Sequence, residues 1–284
     1  MKNIKNHLRQ WRKNRSLFIG SILFLMLATT VLLVPYIIEM DAFTLQYEKI
    51  LNAPSKSHPL GTDEFGRDVL SRIIIGGRVS LSIGMQVMIG TTFFGVLIAL
   101  LAGYFDKVDM VVMRFMDIMM AFPSLLLAIA LVATFRDSTF GVSIALTVVY
   151  TPRTVRIVRS QVLVLKGEQY VEASRSIGVA PLKIIFSHIL PGVLPVLIVQ
   201  ETFLFAYAIL GEAGISFVGV GVQPPAPSWG NILGDARVLL REAPWMILYP
   251  GLGIMCTVLS LNLIGDGLRE ALDPKRQKGK ARTI

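Results

Sequence analysis

The sequence predicts an all-α integral membrane protein of six transmembrane helices. Of 284 residues, 53% are hydrophobic and only 17% charged, against roughly 25% charged in an average soluble domain. The mean hydropathy is +0.62, and the apolar residues gather in runs near the length a helix needs to cross a bilayer, about 20 residues. The basic residues fall on alternate connections between those runs, as they do when Lys and Arg collect on the cytoplasmic side. A net charge of +9 would suggest nucleic acid in a soluble protein; in a membrane protein it reports basic cytoplasmic loops, and no nucleic acid is expected. The one cysteine, Cys256, lies in an apolar run, which excludes an intrachain disulfide and a cysteine metal cluster.

The first span covers residues 16–38, behind the basic start MKNIKNHLRQWRKNR. A signal peptide has an apolar core of roughly 7–15 residues followed by a small-x-small cleavage site. This run is longer and LLVPYIIEM offers no such site, so an uncleaved span is expected. An external loop follows, completing a first unit over residues 1–78. In HPLGTDEFGRDVLSRIIIGGRVSLSIG, Gly61, Asp63 and Gly66 mark a turn region. Val69, Leu70, Ile73 and Ile74 then recur at helical spacing against Arg67, Asp68 and Arg72. That pattern predicts a short separate helix lying in the outer interface. Asp63, Glu64 and Asp68 lack the spacing of an EF-hand cation loop.

The second span, 79–105, carries no charge; the third, 115–135, contains Asp117 and a kinking Pro123. The fourth starts near residue 140, is apolar only to Pro152, and should continue as a helix carrying Arg153, Arg156 and Arg159 out of the membrane. The fifth, 193–218, holds Gln200, Glu201 and Glu212, and the last is 246–268. With the N-terminus inside, twenty of the 28 basic residues fall on inner segments, while Arg67, Arg72 and Arg78 go against the bias. Both termini are therefore expected in the cytoplasm.

The longest inner connection contains KGEQYVEASRSIGVAPLKIIFSHILPGVLP. Gly167 can cap a helix with Glu168 in its first turn and Arg175 in its last, as the helix dipole prefers. Gly178 stands where a helix ends on a left-handed residue. Pro181 fits the first turn of a second helix, which Pro191 is expected to stop. Ala173 and Ser174 are small enough for a partner to approach closely, and Glu172 and Ser176 share a face. By periodicity alone this hairpin either docks a partner or lies on the lipid surface. His188 reads as structural rather than as a metal ligand or pH sensor.

The order Glu172-Ala173-Ser174, Gly178, Ile189-Leu190-Pro191 resembles the EAA loop of ABC-importer permeases, in which EAA is followed after three residues by G and after nine more by I-x-L-P. Ser174 replaces the second alanine, and His188 stands at the isoleucine position with Ile189 beside it. The segments GTDEFGRDVLSR, MDIMMAFPSLLLAIALVA, SFVGVGVQPPAPSWGNIL and LNLIGDGLREALDP are similar to the C-type permease subunit of the peptide and nickel importers, so the likeness runs from about residue 58 to 274. It implies the type I importer (MetI-like) permease fold, with an extra N-terminal span, a core over 79–268, a coupling loop over 167–191 and a basic cytoplasmic tail over 269–284. It further implies a bacterial or archaeal cell membrane, a sister permease as heterodimer partner, two ABC ATPase subunits and an external solute-binding protein. The expected cargo is di- or oligopeptides, with nickel, metallophore or glutathione-like compounds as alternatives. ATP and Mg would be used by the ATPase chains, with no cofactor or metal on this one.

The residues agree with a separate motor: no G-x-x-x-x-G-K-[ST] loop occurs, and KGKART lacks its first glycine and a preceding strand. No catalytic site is expected; His7, His58 and His188 fall in separate loops on both sides, with no catalytic motif. An ion-coupled secondary transporter would show a related internal half with paired broken helices, and Pro123 and Pro195 form no such repeat. Asp117 follows Arg114 by three positions and is expected to pair with it locally, or else to line the path. Gln200 and Glu201 should face the bundle interior, pairing with another helix or lining the path. Outside, Pro224, Pro225 and Pro227 predict an extended polyproline ledge, followed by a helix near 231–242. Trp229 and Trp245 would anchor that ledge at the interface, making Gln223, Pro224, Pro225 and Trp229 an external gate or docking loop.

Overall fold

A computed structural model describes residues 14–135 and 139–272. The expected basic start before residue 14 and most of the expected tail, 273–284, lie outside the described residues. The elements are α1 (Arg15–Ile37), α2 (Val69–Tyr104), α3 (Asp106–Ala121), α4 (Ser124–Val132), α5 (Thr139–Lys166), α6 (Gln169–Ser176), α7 (Pro181–Ile184), α8 (Leu190–Phe217), α9 (Trp229–Ala236) and α10 (Trp245–Leu272). A 3-10 turn (Tyr47–Lys49), a π turn (Ile185–Ile189) and an isolated bridge between Thr62 and Asp68 complete the regular structure of the described residues.

Four stretches are long and apolar enough to cross a membrane: α1, α2, α7 through α8, and α10. A fifth counts if α3 and α4 form one span. Large apolar side chains such as Leu25, Met26, Phe93, Phe94, Leu126 and Met255 stay exposed on these helices, as lipid-facing surfaces require. α5, with its Thr, Tyr and Arg content, is not among the four.

The long helices alternate in direction when α3 and α4 are counted as one. Asn14 caps α1 by accepting the Leu17 N–H at 3.3 Å, and its Nδ2 donates to Gly267 O at 2.9 Å, so the start of α1 and the end of α10 share one end of the bundle. α2 returns towards that end and runs parallel to α5, on which it packs most closely. A Cβ at Gly95 would meet Thr154 Cγ2 at 2.7 Å, and one at Gly103 would meet Val162 Cγ1 at 2.6 Å. Small residues let membrane helices approach this closely.

Three expectations are corrected. The separate interfacial helix before span two does not exist. Asp68 caps Ser71 N–H at 2.8 Å and the helix runs unbroken for 36 residues, about 54 Å. Its first turns carry charge yet are helical because Val69 and Ile74 are buried against the loops above. Pro191 does not stop the second helix of the hairpin. A π turn over Ile185–Ile189 precedes it, with Leu190 N–H donating to Ile185 O; one extra residue in the turn accommodates a proline that has no N–H of its own. The break at Pro123 is more than a kink: α3 and α4 meet at 93°.

At the end opposite the hairpin, residues 39–68 fold over the bundle. Asp63 accepts the N–H groups of Phe65 and Arg67 at 2.9 and 2.8 Å and the Arg67 Nε at 2.6 Å, with Arg72 Nε at 3.4 Å. The ledge is also corrected: residues 224–226 turn, the Pro224–Pro225 peptide being cis. Asn231 Nδ2 donates to Val222 O at 3.2 Å and Ala226 O at 2.8 Å, drawing the two sides of the loop together. The following helix is α9, which starts at Trp229 and ends at Ala236. Trp229 is 1% exposed and its Nε1 donates to Ile73 O at 2.9 Å, so it is a core residue and not an interface anchor.

Candidate functional site: the hairpin and the polar face above it

The hairpin begins where α5 ends at Lys166. Glu168, not Gly167, is the N-cap of α6, and it caps through its backbone alone. The helix ends on Gly178 at φ +80°. Gly178 N–H donates to Arg175 O at 3.0 Å and Val179 N–H to Ser174 O at 3.1 Å, the paired bonds of a Schellman turn. Pro181 then opens α7 at its first position.

Val171 fixes α6 to the bundle. It is fully buried in a cluster with Tyr104, Val158, Val162, Ile184, Ile185 and Ile189. Arg175 lies over the Tyr104 ring at 5.6 Å, with Lys166 at 5.9 Å, and Tyr170 meets His188 edge to face at 6.2 Å. His188 is thus a packing partner. Opposite this underside Glu172, Ala173 and Gly178 are exposed, with Ile177 81% and Leu182 57% exposed beside the turn. Ser174 is half-buried and donates to Tyr170 O at 2.8 Å. Ile189 is buried, Leu190 half-buried and Pro191 exposed. The hairpin therefore presents Glu172 and Ala173 on a rigid apolar mount whose tip is greasy.

Above the hairpin, α3 and α5 are joined by ion pairs. Lys166 Nζ reaches Asp106 at 2.8 Å, Arg159 pairs with Asp109, and Arg156 Nη2 meets Asp117 Oδ1 at 2.6 Å. Asp117 thus pairs across helices with Arg156, not locally with Arg114, because α3 turns the aspartate towards α5. Gln200 and Glu201 are buried, at 8% and 7% exposure. Gln200 Nε2 and both Glu201 carboxylate oxygens have no hydrogen-bond partner among the described residues. Glu201 faces Thr91 and Thr92 of α2, whose hydroxyls donate instead to Val87 and Met88 carbonyls at 2.7 Å. Gln200 lines a cavity of about 590 Å³ between α5, α8 and α10.

At the other end Gln223 Nε2 donates to Gly219 O and Gly221 O at 3.1 and 3.2 Å, Pro224 and Pro225 are exposed, and Trp229 is buried beneath them. These four residues share one loop and its supporting helix without lining one surface. Sequence reasoning missed what holds them. Glu212, fully buried, accepts the hydroxyls of Ser80 at 2.8 Å and Ser216 at 2.7 Å, and those hydroxyls accept the N–H groups of Trp229 and Val222 at 3.2 and 3.0 Å. The signal was a lone glutamate between glycines on a span, with serines on both sides of it in the fold. The α3–α5 ladder was also legible in principle, as three aspartates on one helix and three cations on another.

Residues 92–278 match the family described as "Binding-protein-dependent transport system inner membrane component". The chain belongs to this family. It is 42% identical to the dipeptide transport system permease protein DppC of Alkalihalophilus pseudofirmus, over 94% of this chain and 88% of that one. It is 40% identical to the di/tripeptide transport system permease protein DppC of Pseudomonas aeruginosa, over 96% and 92%. To the glutathione transport system permease protein GsiD of Pectobacterium atrosepticum it is 41% identical, over 84% and 80%. The resemblance read from the EAA-like loop therefore holds. As a member of this family the chain is a permease subunit of an ABC importer, a membrane component that works with ATPase and solute-binding partners and is not itself an enzyme.

Proposed function

We propose that this chain forms one half of the membrane channel of an importer for di- and oligopeptides, driven through residues 167–191 by a separate ATPase. The observation that supports this reading best is the hairpin itself: an exposed Glu172–Ala173 face locked by Val171 and the Gly178 turn to the cluster that joins α2, α5 and α8. A push on such a mount moves the helices together instead of bending a loop. The full assembly in this reading is a heterodimer with a sister permease, two ATPases that use ATP and Mg, and an external binding protein docking at the loop of Gln223, Pro224 and Pro225. The chain crosses the membrane six times, with α5 and the α3–α4 pair each counted once. Both termini and the hairpin are cytoplasmic, residues 1–78 form the entry unit, 79–268 the core and 269–284 the tail. Peptide cargo follows the similarity to the dipeptide and di/tripeptide permeases DppC. Glutathione is the second reading, favoured by the comparable identity to GsiD.

Gly178→Pro tests it. Proline has no N–H for Arg175 O and fixes φ near −65°, whereas Gly178 sits at +80°. Peptide uptake by the reconstituted transporter should be abolished, while membrane insertion and yield of the chain stay unchanged. Normal uptake would remove the coupling assignment. Gly178→Ala meets no atom within 4 Å, so only the left-handed penalty of about 1–2 kcal/mol remains, and uptake should be retained in part.

A further inference from the structure

Three arginines stand one turn apart on α5, and the structure treats them differently. Arg159 and Arg156 are matched by Asp109 and Asp117 of α3. Arg153, the farthest from the hairpin, has no carboxylate partner among the described residues. Instead its guanidinium lies over the Tyr207 ring of α8 at 4.4 Å, and the Tyr150 hydroxyl beside it donates to Tyr207 O at 3.2 Å. Arg153 is exposed and sits midway along the 28-residue α5, about 20 Å from either end. α5 is apolar only as far as Pro152, so Arg153 stands where the helix begins to leave the membrane, beside the spans α2 and α8. An unpaired charge facing lipid is costly, so this face of α5 and α8 must meet water or protein.

The same face continues into the cavity of about 590 Å³. Ile157, one turn from Arg153, and Phe203, one turn from Tyr207, both line it, together with Gln200 and Arg269. Arg269 stands over Phe203 at 5.9 Å, repeating the arginine-on-aromatic arrangement nearer the hairpin. Gln200, 8% exposed, lines the cavity, and its buried amide nitrogen has no hydrogen-bond partner among the described residues. The whole lane thus offers donors and positive charge on aromatic walls.

We infer that the Arg153–Tyr207 face and the cavity below it form this chain's contact with cargo, and that Arg153 receives the cargo's carboxylate group. Arg on an aromatic face keeps its planar fork free for a bidentate carboxylate, and Gln200 with Arg269 supplies the next donors on the way to the hairpin side. A carboxylate is common to peptides and glutathione, so the inference rests on the proposed importer function but not on which of those cargoes is carried.

The test uses the complete transporter, with sister permease, ATPases and binding protein, reconstituted in liposomes and given radiolabelled Ala-Ala or glutathione. Arg153→Gln should lower uptake at least roughly tenfold, the loss expected for a charge-assisted hydrogen-bond pair, while ATP hydrolysis stimulated by the binding protein persists. Arg153→Lys keeps the charge and should retain an intermediate rate. Unchanged uptake in Arg153→Gln overturns the inference and leaves the importer reading standing. Loss of the sister permease from the purified Arg153→Gln complex also overturns it, making Arg153 an interface residue. A wild-type transporter that moves neither probe overturns both the peptide-type reading and this inference.

Discussion

Both carboxylate oxygens of the fully buried Glu212 are satisfied. Each carboxylate oxygen takes one serine hydroxyl, and each serine in turn holds a backbone N–H of the α9 region. Glu212→Ala strands two buried hydroxyls and should lower the thermal midpoint in detergent by an amount corresponding to a few kcal/mol, since each unsatisfied buried group costs about 1–3 kcal/mol. Glu212→Gln, which still accepts one of the bonds, should lose less. A second residue-scale expectation concerns Asp235, whose carboxyl is raised above the usual range first by burial, with Asp63 adding to the shift and Arg72 and Arg67 opposing it. A raised folded-state value means that the protonated form is favoured by folding, so the penalty grows as pH climbs from the ordinary carboxylate range through the raised value. Asp235→Asn removes that penalty, and its gain in stability should be larger at about pH 7.5 than at about pH 4.5. An equal gain at both, measured by thermal unfolding, would contradict this assignment.

Between elements, the α3–α5 ladder replaces apolar packing where α3 leaves the bundle. Asp109 and Arg159 are about a quarter exposed, at 22% and 24%, so the pair should be worth no more than about 1 kcal/mol. Asp109→Asn and Arg159→Gln should each destabilise slightly, and their double-mutant cycle in unfolding should show a coupling of that size; zero coupling would mean that the ladder only orients α3. The elements read well from sequence where periodicity and length agreed: α1, α5 with its arginines, α8 and α10. The misreadings came from punctuation. Gly61, Asp63 and Gly66 announce a break, yet the helix starts only three residues after Gly66 and does not stop again until Tyr104. Pro191 looked like a terminator because a local rule cannot see that a π turn will take up the missing bond.

For the molecule as a whole, the coupling hairpin was legible because caps and turns are local: Gly178 and Pro181 adopt the roles their chemistry dictates. The polar lane was not, because it is assembled from Tyr150 and Arg153 on one helix and Gln200, Phe203 and Tyr207 on another, and only the antiparallel packing of α5 on α8 brings them into one row. Trp229 shows the same limit. A tryptophan near a span end fits a membrane belt and a core equally well until its neighbours, here Gly77 and Ile73, are known. The pairing of α1 with α10 bears on how the chain is made. Gly20 lies against Leu263, Leu17 against Gly267, and Asn14 against Gly267 O, so α1 finds its main neighbour among the described helices only when α10, made much later, arrives. Until then its small-residue face has to be shielded by lipid or by the insertion machinery, and a chain truncated before α10 would leave α1 in the membrane without that neighbour.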